Sequence, residues 1–396
     1  MMSGAVPEVT VVIACHNAMP QLTAGLDSLV GQSIRRRRPG ALQVLAVDDG
    51  STDDSGTELR RYEERHPELF TVLGGADPGG SAAAGNRALD RARGRFVLFL
   101  CAADRLGLEA LERLVALADR AGSDVVLGRT VGVGGRQVAQ EIFERTREQV
   151  TFTDSALAWA LSDSKLFRRE LLVGHSLRKR EDLPAHCEQP FTLEACLHAR
   201  RISVLADYDC YYAMPRPDRS PVTVRSRHEA RLRGAAALLE VVERLAEPGP
   251  EQAVLRGRVF CWDVASLLRT EFLTLEEPVQ RRLCAGVGRL LDRHCPPADF
   301  QQLAVRDRLR LDLARRGRVA ALRRLIRYQA AYWEAAQPKV AGEREPVPVV
   351  PAPAHSVPVP VPVQLWRGIV PEQVRRRLRR QPAWRGFVER AYARWG

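Results

Sequence analysis

Apolar and polar positions alternate in blocks over the first two hundred residues. The run "EVTVVIA" (8–14) reads as a buried strand, and Leu22, Leu26, Leu29 and Val30 then recur at helical spacing. "LQVLAV" (42–47) predicts a second strand and "DSGTELRRYEERH" (54–66) a helix capped by Asp54 or Ser55. "LFTVLG" (69–74) predicts a third strand, "SAAAGNRALDRARG" (81–94) a helix and "RFVLFL" (95–100) a fourth strand. "LEALERLVALADRAG" (108–122) predicts a strong helix and "DVVLG" (124–128) a fifth strand. This order of elements predicts an α/β fold with a parallel sheet covered on both faces. Such sheets bind ligands beyond the carboxyl ends of their strands.

From about residue 226 the strand signals stop. Leu-, Ala- and Arg-rich segments such as "RSRHEARLRGAAALLEVVERLA" (225–246) follow, broken at "EPGP" (247–250) and "CPPADF" (295–300). They predict an α-helical domain over 216–340. The Pro/Val tract within 341–363 predicts an extended linker. The tail, 364–396, is dense in Arg with Trp366, Trp384, Phe387, Tyr392 and Trp395 interleaved. That mixture suits either a phosphate-rich surface or a solvated tail docked on its own protein. A chain of 396 residues is too long for one ordinary core, in keeping with two domains or more.

The net charge of +12 favours anionic partners: nucleotides, acidic polymers, nucleic acid or a lipid surface. "MMSGAVPEVT" lacks the basic-then-apolar pattern of a signal peptide, and no apolar run approaches the ~20 residues of a membrane span. The 8 cysteines form no C-x-x-C pair, so reduced thiols and a cytoplasmic setting are expected rather than zinc or disulfides.

"LQVLAVDDGSTDDSG" (42–56) sets two adjacent carboxylates at a strand end in a basic chain. A carboxylate only accepts hydrogen bonds, which suits the N–H and O–H donors of a nucleoside. Gly50 and Ser51 allow a tight turn, and a strand-end Asx turn is the bland alternative. Taken with "VTVVIACHN" (9–17) and "SLVGQS" (28–33), the stretch "VLAVDDGSTDDS" (44–55) resembles the start of a family 2 glycosyltransferase of the GT-A fold. "GNRALDRARGRFVLFL" (85–100), "KLFRRELL" (165–172) and "EQPFTLEACLHARRISVLADYDCYY" (188–212) extend the resemblance over about 6–215.

The resemblance implies transfer of a sugar from a nucleotide-diphospho sugar, UDP-linked, to an acceptor hydroxyl with inversion. It implies that Asp49 contacts the nucleoside while Asp48 braces the turn, within a nucleotide-binding set of Ala14, Asn17, Asp48, Asp49, Ser51 and Asn86. A helical segment after the catalytic domain resembles bacterial cell-wall polymer glycosyltransferases. That implies a glycan or polyol-phosphate acceptor, with the tail as a contact to an anionic membrane surface and the enzyme peripheral at its inner face. Nucleic acid is not an expected partner.

Three positions depart from the family's pattern. Where Asp-x-Asp-Asp is usual, "FLCAADRLG" (99–107) keeps only Asp104, so the implied divalent cation, Mn²⁺ or Mg²⁺, would rest on Asp104 and mostly on the donor's diphosphate. Cys101 is a poor ligand for such ions, and Asp104 as a helix cap is the alternative. Gly85 stands where an Arg facing the nucleotide is usual, and Arg87 reads as its substitute or, more simply, as a solvated charge. Glu188-Gln189 replaces a Glu-Asp pair, which leaves Glu188 as the catalytic base and His186 as a second candidate. The departures keep open a non-catalytic family member that binds a partner or polymer. With no G-x-G-x-x-G after the first strand, a dinucleotide oxidoreductase is not expected.

Overall fold

The computed structural model describes residues 6–74, 79–183, 186–215 and 221–336, with side chains left aside for 221–227 and 332–336. The Pro/Val tract and the basic tail lie outside the described residues. The chain divides into two compact units, Met1–Val259 and Phe260–Gly396.

The first unit opens with β1 (Val9–Cys15), α1 (Gln21–Val30), α2 (Ser33–Arg37), β2 (Leu42–Asp48), α3 (Ser55–Arg65) and β3 (Phe70–Gly74). It continues with α4 (Gly80–Leu89), β4 (Phe96–Cys101), β5 (Arg105–Leu106), α5 (Ala110–Ala121) and β6 (Val125–Gly132). β7 (Leu166–Arg168), α6 (Arg169–Gly174), α7 (Glu188–His198), β8 (Ile202–Ala213), α8 (Pro221–Leu245) and α9 (Pro250–Arg258) complete it. Apolar runs make β1, β2 and β4 almost wholly buried, as strands covered on both faces must be. α5 buries Leu111, Leu114, Val115 and Ala118 on one stripe and ends at Gly122 in the left-handed region, φ 66°.

The eight-stranded sheet has the order β3-β2-β1-β4-β7-β6-β8-β5. Its first half is parallel, as the alternation predicts, but the sheet as a whole is mixed. β7 inserts antiparallel between β4 and β6, and β5 pairs antiparallel with β8. β7 is held by packing rather than length: Phe167 meets Phe99 of β4 and Phe191 of α7 edge-on, at centroid distances of 6.2 and 5.6 Å.

The second unit contains α10 (Glu277–His294), α11 (Pro297–Gln302), α12 (Val305–Arg315) and α13 (Val319–Ala336). Leu283, Val287 and Leu291 of α10, Leu311 and Ala314 of α12, and Leu322, Leu325 and Ile326 of α13 are buried. Asp292 and Arg315 pair at 2.6 Å where α10 meets α12. Two helices of the helical region expected over 216–340, α8 and α9, fall in the first unit. The reason is packing: α8 is tied to α7 by Arg244–Glu194 (2.8 Å), and its Glu240 reaches Arg180 (2.7 Å). A change of element type is not a change of core.

Lys165, next to β7, is buried at 2% exposure and donates to the Ser162 carbonyl. Burial pulls its ammonium down to about 8, against the weaker pull of the Cys196 and Asp163 charges. The unfolded Lys keeps its proton to ~10.4. Between these values the unfolded state binds more protons, so this group makes stability rise with pH. Lys165→Met should therefore stabilise the protein at pH 7.5, and its advantage should shrink by about 3 kcal/mol by pH 10.5. Urea unfolding of both proteins across that range checks this; a constant difference would count against it.

Candidate active site

β1 and β2 run parallel with Cys15 opposite Asp48, so the chain leaves both strands at one edge of the sheet. The two exits are bonded to each other. Asp49 N donates to the Cys15 carbonyl at 2.8 Å, and His16 Nδ1 lies 3.0 Å from the Asp49 carbonyl. Asn17 sits at φ 48°, a left-handed conformation that Asn tolerates better than most residues. Its Oδ1 accepts from Thr52 N (2.8 Å), Thr52 Oγ1 (3.3 Å) and Asp53 N (3.3 Å). Its own N–H donates to Ser51 Oγ at 3.1 Å, while Ala18 N donates to Ser55 Oγ at 2.9 Å. Asn17 and Ser51 thus spend these polar atoms on shaping the loops. Ala14 lies beneath the same edge, opposite Val47 of β2 and Cys101 of β4.

The two carboxylates of the turn do different things. Asp48 Oδ1 accepts from Ser51 N at 3.1 Å, and Oδ2 lies so near Gly56 that a Cβ there would come within 2.5 Å of it. Glycine at 56 therefore lets this carboxylate rest against the first turn of α3, where the helix dipole favours a negative charge. Asp49 is buried, and its Oδ1 accepts from Gly79 N at 2.9 Å. Its Oδ2 makes no hydrogen bond among the described residues, which leaves one acceptor for a ligand.

Arg87 is only partly solvated, its side chain about one-third exposed. Its Nη2 lies 4.0 Å from Asp49 Oδ1, and Nε and Nη2 are buried with no hydrogen-bond partner among the described residues. α4 is turned so that this guanidinium faces the carboxylate loop. Asn86, expected at the nucleotide, faces elsewhere: its amide donates to the Lys179 carbonyl and Glu181 Oε1, both at 2.9 Å, and accepts from Lys179 N at 3.0 Å. Those bonds use both donors of the amide, so Asn86 holds the 179–181 segment.

That segment accounts for the glycine at 85. A Cβ on Gly85 would meet Lys179 Cδ and Nζ at 3.4 Å, so the space an Arg side chain would enter is filled by Lys179. Lys179 is buried, pairs with Asp163 at 2.5 Å and has its ammonium 4.0 Å above the centre of the Phe99 ring. Neither Lys179 nor Asp163 stood out in the sequence. They are 16 residues apart in a stretch without periodicity, and no local spacing joins them.

Asp104 follows β4 and is 1% exposed. It does not cap a helix, since α5 begins at Ala110. Its Oδ2 accepts from the Tyr211 hydroxyl at 2.9 Å, and its Oδ1 accepts from Met214 N at 2.8 Å and faces Arg136 Nη1 at 3.5 Å. Burial, reinforced by the Asp104 charge, holds the Tyr211 phenol protonated well above its usual range, so it remains a donor. Both oxygens are committed to the fold. Among the described residues no group of three or more His, Cys, Asp or Glu side chains could hold a metal ion. The side chains around Asp104 do not fit a resident Mn²⁺ or Mg²⁺, which needs several oxygen donors.

Glu188 is the first residue of α7, with its side chain one-third exposed and its Oε1 3.9 Å from His186 Nδ1. Gln189 lies between His186 Nδ1 (3.4 Å) and Arg258 Nη2 (3.2 Å), so the amide joins α7 to α9. Cys187 Sγ and Ser81 Oγ, 3.8 Å apart, bring the start of α7 to the start of α4. Burial, and next the Glu188 charge, push the Cys187 thiol up.

Residues 10–172 match the model of "Glycosyl transferase family 2", and residues 229–326 match that of the "Glycosyl transferase TarS linker domain". The chain is 33% identical over 209 residues to a poly(ribitol-phosphate) beta-glucosyltransferase of Bacillus spizizenii, covering 53% of this chain and 32% of that protein. It is 34% identical over 207 residues to the poly(ribitol-phosphate) beta-N-acetylglucosaminyltransferase TarS of Staphylococcus aureus, covering 52% of this chain and 35% of that one. These matches span about a third of each relative's length. The crystal structure of an S. aureus TarS fragment in complex with UDP-GlcNAc superposes with a TM-score of 0.69 at 26% identity, covering 82% of this chain and 92% of that one. No described helix is long and apolar enough to cross a membrane.

Proposed function

We propose, from the premise that residues 10–172 are a family 2 glycosyltransferase domain of the GT-A fold and residues 229–326 a TarS-type linker domain, that this chain transfers a sugar from a UDP-linked donor to a polyol-phosphate polymer. The observation that carries the donor half is Asp49, a buried carboxylate with one oxygen bonded to Gly79 N and the other open, at the carboxyl edge of parallel strands. The acceptor half rests on relatives whose names specify poly(ribitol-phosphate). The excess of Arg over acidic residues suits an anionic polymer.

The reaction is a single displacement with inversion. An acceptor hydroxyl oxygen attacks the anomeric carbon, the bond from that carbon to the diphosphate oxygen breaks, and UDP leaves with the electron pair. The hydroxyl proton passes to Glu188, a partly exposed carboxylate beside the start of α4. Holding both substrates in line supplies much of the rate. A non-catalytic binding protein is the reading to adopt if purified protein binds UDP and transfers no sugar across a panel of UDP-sugars and polyol-phosphate acceptors.

Asp49→Asn tests the donor half. The amide keeps the shape and replaces a charged acceptor of nucleoside donors, so UDP binding measured by calorimetry should weaken by ~10-fold or more. The melting temperature should stay within a few degrees, because Gly79 N retains an oxygen to bond. Unchanged UDP affinity would remove Asp49 from the site.

A further inference from the structure

Family 2 glycosyltransferases generally use a divalent cation, and a nucleoside diphosphate leaving group needs positive charge beside it. Beyond the end of β4, a guanidinium stands beside Asp104. Arg136 lies in the turn after β6, where Gly134 and Gly135 take left-handed conformations, φ 59° and 81°. Its Nη1 donates to the Met214 carbonyl at 2.7 Å and faces Asp104 Oδ1 at 3.5 Å. The side chain is about one-quarter exposed, and both of its contacts, to Met214 and to Asp104, are made through Nη1.

We propose that Arg136 is the diphosphate-binding cation of the donor site, and that this chain binds its nucleotide without a resident divalent ion. The inference rests on the glycosyltransferase reading above and goes beyond it.

Four observations support it. Cys101, Ala102 and Ala103 offer no hard oxygen ligand, and Asp104 alone remains in that loop. Asp104's oxygens already accept from Tyr211 and Met214, and Arg136 stands at Oδ1, so an ion there would meet a like charge. The guanidinium is held from two sides, by a carboxylate and a carbonyl, and so is oriented before a ligand arrives. Its open N–H groups form a planar fork that matches phosphate oxygens. The placement also fits. β2, which ends at Asp48, is separated from β4 by β1 alone, two strand spacings or about 10 Å. That spacing is short enough for a nucleoside at Asp49 to extend its diphosphate to the Asp104–Arg136 corner.

The test is calorimetry on the full chain with UDP and with uridine, in EDTA and in Mn²⁺, for wild type, Arg136→Gln and Arg136→Lys. Wild type should bind UDP with the same affinity, within about twofold, in both conditions. Arg136→Gln should lose ~10–100-fold in UDP affinity, the range of a charge-assisted hydrogen bond, and keep its uridine affinity. Arg136→Lys should fall between. UDP binding that appears only with Mn²⁺ would overturn the inference and leave the glycosyltransferase reading intact. So would an Arg136→Gln protein with unchanged UDP affinity, or one that loses uridine as steeply as UDP, which would assign Arg136 to the fold. Wild type that binds neither UDP nor uridine would end both readings.

Discussion

Glu188→Gln should lower sugar transfer by ~10²–10⁴-fold while leaving UDP affinity within about twofold, the loss typical of removing a general base. The substitution keeps the size and polarity of the side chain at the start of α7 and removes its capacity to take a proton. Gln189 cannot inherit the role. It is an amide, and its oxygen accepts from Arg258. Initial rates with UDP-GlcNAc and a poly(ribitol-phosphate) acceptor, beside UDP titrations, separate the two effects. Transfer at near wild-type rate would move the base elsewhere, and His186, 3.9 Å from the Glu188 carboxylate, is the first residue to test next.

Asp104→Ala should destabilise the first unit by ~3–5 kcal/mol, the cost of removing one member of a buried charged network. The deletion leaves the buried Tyr211 hydroxyl and Met214 N–H without an acceptor and the Arg136 guanidinium without its carboxylate. A fall of roughly 10 °C in the melting temperature of that unit follows. Asp104→Asn, which keeps an acceptor for Met214 N, should lose less. A carboxylate that served only as a metal ligand would behave in the opposite way, since removing it would relieve charge and leave the melting temperature in EDTA unchanged or higher. An unchanged melting temperature in Asp104→Ala would thus restore the ligand role.

Much of the first unit is legible in the chain because its signals are local. β1, β2 and β4 are apolar runs bounded by turn residues, and α3 and α5 carry the helical period over 11 and 12 residues. β7 is invisible to the same reasoning, with 3 residues and a partner strand 70 residues away. Its insertion, with the antiparallel pairing of β5 and β8, converts an expected parallel sheet into a mixed one. The candidate site divides along the same line. Asp48 and Asp49 stand out because two carboxylates close an apolar run. Lys179, Asp163, Arg136 and Tyr211 do not, because each meets its partner across a long loop of chain and no spacing marks the pair. Asn17, Ser51 and Asn86 show a further limit. Their positions belong to recognisable motifs, but their side chains bond to other parts of the protein, and a motif does not reveal where a side chain points.

The loop bonds made by Asn17 bear on how fast and how favourably a donor can bind. Fixing the backbone of one residue costs ~1–2 kcal/mol of conformational entropy. Residues 16–19 and 49–55 are joined by Asn17 Oδ1, Ser51 Oγ, Ser55 Oγ and Asp53 Oδ2, all bonds within the protein itself. That entropic cost falls in the folding of the unit and not in the encounter with the donor. On the proposed reading, the loops that would receive the nucleoside are braced before the donor arrives. Variants that loosen them, such as Asn17→Ala, would show their damage as a binding penalty even though the residue they change need never touch the ligand.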